Sequence, residues 1–179
     1  MKIGIDIMGG DYAPEKTIYG SILAIQERVE DLSLVLFGEK NRIISELKKH
    51  NLNIEKFEIV NCSETIKMDD HPIKSFRSKP NSSIAKGFEY LKKGQINGFC
   101  SAGNTGAMFV GGLYSVKAIP GILRPPLSAI IPRENGGSTI LLDVGANADC
   151  KPDVLYQFGI LGSLFSKYIC GVKNPKVSL

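Results

Sequence analysis

Gly98-Phe99-Cys100-Ser101-Ala102-Gly103-Asn104-Thr105-Gly106-Ala107 reads as a short buried strand that runs into a glycine turn and then a helix. Phe99, Cys100 and Ala102 are the small or apolar residues that a covered strand needs. Gly103 allows φ values that other residues avoid. Asn104 or Thr105 caps the following helix, which continues through Ala107, Met108, Phe109 and Val110. This geometry leaves backbone N–H groups at a helix N-terminus, aimed at whatever sits above the strand. Such a place favours an anion, phosphate above all. An ordinary strand-to-helix turn uses Gly and Asn as well, so the rest of the chain supplies the context.

Before this stretch, strand and helix signals alternate. Lys2 to Ile7 is a first strand, ending in Asp6-Ile7-Met8-Gly9-Gly10-Asp11-Tyr12-Ala13-Pro14. Two glycines after a strand, with Pro14 at a first helical position, mark a strand–loop–helix junction. A helix runs from about Pro14 to Arg28, with Ile18, Ile22, Ile25 and Val29 at helical spacing. Leu32 to Phe37 is a second strand, Asn41 to His50 a helix with Ile43, Ile44 and Leu47 inward, and Phe57 to Val60 a third strand. This β-α-β-α-β order predicts a parallel sheet covered on both faces. Asn61 to Pro80 breaks the rhythm as a long polar segment holding Met68-Asp69-Asp70-His71-Pro72 and Lys74-Ser75-Phe76-Arg77-Ser78-Lys79. Such a segment inside a compact domain is usually functional or mobile. Asn81-Ser82-Ser83 then caps a helix through Ile84, Phe88 and Leu91 that ends near Gly94, and the helix after the glycine turn reaches about Val116.

The C-terminal part changes character. Lys117 to Pro126 is a loop that includes Arg124-Pro125-Pro126. Leu127 to Ile131 and Thr139 to Leu142 read as strands joined by a hairpin loop containing Asn135-Gly136-Gly137. Asp143-Val144-Gly145-Ala146-Asn147-Ala148-Asp149-Cys150 follows, then a helix from about Lys151 to Ile169 with Leu155, Phe158, Leu161 and Phe165 in a stripe. Asn174 to Leu179 reads as the start of a new strand. The whole of 1–179 is expected to form a single α/β domain.

Composition narrows the function classes. The 179 residues are 43% hydrophobic and 22% charged, as in ordinary soluble domains. Mean hydropathy is +0.01, and no apolar run approaches the roughly 20 residues of a membrane span. Met1-Lys2-Ile3-Gly4-Ile5-Asp6 places an acid where a signal peptide needs its apolar core, which predicts a cytoplasmic location. The net charge of +4 is spread without a basic block, so it suits an acidic substrate or partner and does not call for nucleic acid. Cys62, Cys100, Cys150 and Cys170 show no CxxC spacing and only two His are present, so no structural zinc site is expected. The cysteines are expected to be reduced and mostly buried.

In an open parallel sheet, ligands bind outside the carboxyl ends of the strands. Three polar, glycine-rich junctions fall at such ends: Asp6 to Asp11, Ser101 to Gly106, and Asp143 to Asp149. Arg77, Lys79, Ser82 and Ser83 enter the helix before the central strand and are expected to fold over the same edge. Together these pieces supply backbone donors, two cations, hydroxyls and carboxylates around one cleft, a phosphate or polyanion site. Each piece alone also fits turn chemistry or a solvated loop. GxGxxG and GxxxxGK[ST] are absent, which leaves dinucleotide and P-loop readings weak. Asp143, Asn147 and Asp149 have the spacing of divalent-ion ligands, but Asx residues in turns are commoner. His71 has no nucleophile nearby in sequence, so no Ser-His-Asp triad is built from it.

The segments Asp6-Ile7-Met8-Gly9-Gly10-Asp11 with Ala13-Pro14, Ser75-Phe76-Arg77-Ser78-Lys79 with Ser82-Ser83, Ser101 to Ala107, Arg124-Pro125, and Leu142 to Asn147 with Asp149-Cys150-Lys151-Pro152 stand in an order and spacing that resembles the phosphate acyltransferase (PlsX) family. The resemblance covers essentially the whole chain and the N-terminal part of the longer family members, so the fold is expected to be incomplete at the C-terminus. It implies a three-layer α/β/α sandwich similar to phosphate acetyltransferases and isocitrate dehydrogenase-like folds. It implies transfer of a fatty acyl group from acyl-ACP to inorganic phosphate, giving acyl phosphate for phospholipid synthesis, with no metal and no nucleotide cofactor. A homodimer and a peripheral membrane contact come with it. On this reading Lys79, Asn104 and Asp143 are catalytic. Asp6, Gly9, Gly10, Asp11, Arg77, Ser82, Ser83, Ser101, Gly103, Thr105, Gly106, Arg124, Gly145 and Asn147 bind substrate. Two rivals are a metal- and NAD-dependent decarboxylating dehydrogenase, with Asp143 and Asp149 on the ion, and an inactive module that only binds ACP.

Overall fold

Alternate side chains of a strand point to opposite faces. Leu34, Val35, Leu36 and Phe37 are all buried, so the strand that carries them is covered on both sides. The computed structural model describes residues 1–27, 31–52, 54–134 and 136–179. It places this strand, β2 (Ser33–Gly38), inside a four-stranded parallel sheet with β1 (Lys2–Asp6), β3 (Glu58–Asn61) and β4 (Gly98–Cys100). The spatial order is β3-β2-β1-β4.

Helices α1 (Glu15–Gln26) and α2 (Lys40–Lys49) cover one face. Their Ile18, Ile22, Ile43 and Leu47 close over Leu34 and Leu36. On the other face α4 (Ser83–Lys92) sets Tyr90 and Leu91 against Val35 and Phe37, and Ile84 and Phe88 join Ile66 and Ala107 in a further cluster. Behind α4 lie α3 (Pro72–Ser78) and α5 (Thr105–Ser115), so the layers are helix, sheet, helix. Close approach of α4 to the sheet requires Gly87: a Cβ there would lie 2.1 Å from the Phe99 ring.

The chain divides into two compact units, 1–117 and 118–179. The second unit holds an antiparallel hairpin, β5 (Ser128–Pro132) and β6 (Ser138–Leu142), with α6 (Pro152–Tyr168) packed on β6.

Several expectations are corrected. The 61–80 segment is not all loop: α3 lies within it, and Glu64 bridges to Ser82. Seven residues are too few to show a helical stripe. Cys100 is exposed where a covered strand was expected, because β4 is the last strand in the sheet order. Of the four free cysteines only Cys62 is buried; its burial pushes the thiol up to about 12. Pro14 is the residue before α1 rather than its first helical position. Residues 174–179 form no strand; they have no neighbouring strand to accept their hydrogen bonds among the described residues. Arg28, Val29 and Asn135, which the sequence reading used, lie outside the described residues.

Candidate functional site

The chain builds β1, β2 and β3 outward in one direction and then returns to lay β4 on the other side of β1. Strand order therefore reverses between β1 and β4, and their carboxyl ends open a crevice of the kind that binds ligands in open α/β sheets. Ile5 pairs with Cys100, so Asp6 and Ser101 both stand one residue beyond the paired ends. Ser101 Oγ donates to Asp6 Oδ2 at 2.7 Å and closes the floor of the crevice.

Asp6 is 1% exposed. Its Oδ1 accepts from the Met8 amide at 2.9 Å, and the Gly9 amide and the Ser83 hydroxyl also donate to the carboxylate. Burial holds its pKa above the ordinary carboxylate value, and these hydrogen bonds oppose the shift without cancelling it. The two turns touch directly. A Cβ on Gly9 would lie 2.6 Å from the Gly103 carbonyl oxygen and 2.7 Å from Ser101 Oγ, so no larger residue fits there. Gly10 and Gly103 adopt φ of +94° and +132°. Asp11 is exposed in the loop that follows.

Asn104 is the N-cap of α5 and accepts from the Ala107 amide at 3.1 Å. Its Nδ2 donates to the carbonyls of Lys67, Met68 and Asp70 at 3.0–3.2 Å, which ties the 67–70 loop to the start of the helix. As the first residues of α5, Thr105 and Gly106 have no intrahelical acceptor for their N–H groups, and among the described residues nothing else takes them. Thr105 is exposed. Two free amides at the positive end of an 11-residue helix, beside a polar floor, favour an anion.

Lys79 is the C-cap of α3. Its Nζ donates to Asp70 Oδ2 at 2.5 Å and to the Thr65 carbonyl at 2.9 Å. The Lys79 ammonium, with the Lys67 amide, holds the Asp70 carboxyl below its ordinary value. Asp70 is thus linked through its carbonyl to Asn104 and through its carboxylate to Lys79. Arg77 is elsewhere: its Nη2 donates to the Tyr114 hydroxyl at 3.1 Å and its guanidinium lies over that ring. Tyr114 stands nine residues beyond Thr105, about 13 Å of helix rise. Ser82 caps α4, accepting from the Ala85 amide and donating to the Lys79 carbonyl. Ser83 supports Asp6.

The remaining predicted residues gather in the second unit. Asp143 accepts from the amides of Leu127, Ala146 and Asn147 and from Asn147 Nδ2. Desolvation is the largest single influence on its pKa and raises it, but these donors together bring the group below its ordinary value. Asn147 Nδ2 also reaches the Pro125 carbonyl at 3.2 Å, and Arg124 Nη1 donates to the Asp149 carbonyl at 3.1 Å. The 124–127 and 143–149 segments are therefore stitched together, with Gly145 at φ +131°.

The sequence reading places Met68 and Asp70 in the 61–80 segment but assigns neither them nor Thr65 to the site. Asp69 and Asp70 look alike in sequence. Only the turn in which the Asp70 amide reaches the Lys67 carbonyl, and the Lys67 amide reaches Asp70 Oδ2, selects the second.

A family model described as "Fatty acid synthesis protein" matches residues 1–179. The chain belongs to that family. It is 44% identical over its full length to proteins named phosphate acyltransferase from Halothermothrix orenii and from Caldicellulosiruptor bescii, covering 53% of each. The chain thus spans about half the length of the curated relatives it matches. In structure, this family member superposes on EutD phosphotransacetylase from Staphylococcus aureus with a TM-score of 0.67 at 17% identity, over 96% of this chain and 54% of that one. A phosphotransacetylase from Streptococcus pyogenes gives 0.68 at 20% identity, over 96% and 55%. At these identities the likeness is one of fold, and it agrees with the expected α/β class. The dehydrogenase alternative finds no support in these matches. Among the described residues no helix is long and apolar enough to cross a membrane.

Proposed function

We propose that this chain acts as a phosphate acyltransferase that moves a fatty acyl group from acyl-ACP to inorganic phosphate, giving acyl phosphate for phospholipid synthesis. The observation that carries the reading is the pair of glycine turns meeting at the β1/β4 switch point, with free amides at the start of α5, in a chain of this family.

The chemistry asks little of a protein nucleophile, because phosphate is the nucleophile. A phosphate oxygen attacks the thioester carbonyl, a C–O bond forms, and the C–S bond breaks. The thiolate leaves and takes up a proton as the phosphate gives one up. The protein must hold phosphate beside the carbonyl and stabilise the oxyanion. The amides of Thr105 and Gly106 and the Lys79 ammonium are assigned to phosphate and oxyanion, with Asn104 holding the 67–70 loop to the start of α5 and Asp6 and Ser101 keeping the two turns in place. The net charge of +4 suits an acidic carrier protein. A homodimer and peripheral membrane contact accompany this reading through the family resemblance.

The test is acyl phosphate formation from palmitoyl-ACP and phosphate, measured on this chain and on one extended past Leu179 to the length of the relatives. Turnover by either supports the reading. Silence from both, with folding verified by circular dichroism, overturns it, and retention of ACP without turnover would point to a binding module.

A further inference from the structure

We infer that Asp70 is a positioning residue, which aims the Lys79 ammonium at the anion in the β1/β4 crevice; this rests on the phosphate reading above. An ammonium has three donors. Two of those on Lys79 are fixed, one by Asp70 Oδ2 and one by the Thr65 carbonyl. Among the described residues the third has no acceptor. Both side chains of the pair are partly sheltered, at 29% and 26% exposure, so the geometry is less open to screening than a surface pair.

The anchor of Asp70 is what ties this pair to the crevice. Asn104 Nδ2 donates to the Asp70 carbonyl at 3.0 Å while Asn104 Oδ1 caps α5. The Lys67 amide fixes the other side of the turn by donating to Asp70 Oδ2 at 2.8 Å. Met68 and Pro72 press on Gly103 and Gly106: a Cβ on either glycine would lie about 2.4–2.5 Å from these side chains. The loop is therefore seated on the glycine turn itself, and among the described residues Asp70 is the one hydrogen-bonded to both the helix cap and the cation. A long flexible lysine would otherwise sample many rotamers, and holding two of its donors removes that freedom before the anion arrives.

The experiment is Asp70→Asn in the active form of the protein, read by steady-state kinetics and by calorimetric titration with inorganic phosphate. The KM for phosphate is expected to rise at least about tenfold, the scale of one charge-assisted hydrogen bond. The KM for palmitoyl-ACP stays within about twofold, a split that a general loss of structure would not produce. Lys79→Met combined with Asp70→Asn is expected to be no worse than Lys79→Met alone, since the aspartate acts through the lysine. Asp70→Ser takes the place of the Asn variant if that one does not fold. A phosphate KM unchanged or lowered in the variant, with normal dependence in the unmutated protein, overturns the inference and shows a carboxylate that is idle or competes with the anion. An unmutated, folded protein that neither binds phosphate nor depends on it overturns the phosphate reading and this inference with it.

Discussion

A carboxylate at 1% exposure is costly unless donors surround it, and Asp6 has Ser101, Ser83 and the amides of Met8 and Gly9. Those donors reduce the effect of burial without cancelling it, so the folded pKa lies above the unfolded value of 3.8. Between the unfolded and the folded value the folded state binds more protons than the unfolded state. The contribution of Asp6 to stability is thus fully present below the unfolded pKa and is lost as pH rises through the folded one. The stability difference between wild type and Asp6→Ala, from urea unfolding, is expected to shrink as pH rises above the unfolded value of 3.8; a difference that grows with pH contradicts the assignment. The role proposed for Lys79 is in catalysis instead. Lys79→Ala is expected to lower acyl phosphate formation at least about a hundredfold, as for one preorganised donor. Activity within about threefold of wild type would remove Lys79 from the site.

At the level of elements, α4 is where packing outweighs propensity. Phe99 is wedged between Phe37 and Phe88, with centroids 5.6 and 5.4 Å away, and cannot yield to a methyl group at Gly87. Gly87→Ala gains up to about 1 kcal/mol of helix propensity but overpacks at about 1–3 kcal/mol, so a net loss is expected in denaturant unfolding. Gly20→Ala in α1, where a Cβ meets nothing within 4 Å, is expected to stabilise by about 0.5–1 kcal/mol. Equal effects at both sites would refute the packing account. The same contrast explains what could be read from the chain. The strands and long helices were legible because Ile18 and Ile22, or Leu34 to Phe37, repeat at a period that burial imposes. The caps were legible from residue type to within a residue or two: the sequence offers Asn81 to Ser83 and Asn104 or Thr105, and the structure uses Ser82 and Asn104. Helix α3 was not, since its placement depends on Phe76 meeting Phe88 and Tyr114, contacts distant in sequence. Arg77 failed to signal its place for the same reason: a cation beside Lys79 in sequence is drawn to a tyrosine on another helix.

Across the whole molecule the apolar burial is uneven. Every buried hydrophobic residue among those described lies in 1–117 except Val154 and Phe158. All three core clusters fall in that unit as well. In 118–179, Ile130, Leu141, Ile160 and Leu164 are each more than 40% exposed, and the sheet is a single hairpin. With Val154 and Phe158 its buried hydrophobic residues among those described, this hairpin and helix are expected to bury too little to offset the entropy of ordering 62 residues. Unit 1 carries a doubly covered parallel sheet and the entire β1/β4 crevice. A fragment of residues 1–117 is therefore expected to unfold in one cooperative transition, with its strand amides protected from hydrogen exchange. A fragment of 118–179 is expected to exchange at rates near those of an unstructured chain and to show no transition. A cooperative transition in the second fragment at ordinary temperatures would mean that its two-residue core is reinforced by contacts the exposed apolar side chains make with one another. The uneven distribution of the core would then no longer account for where stability resides.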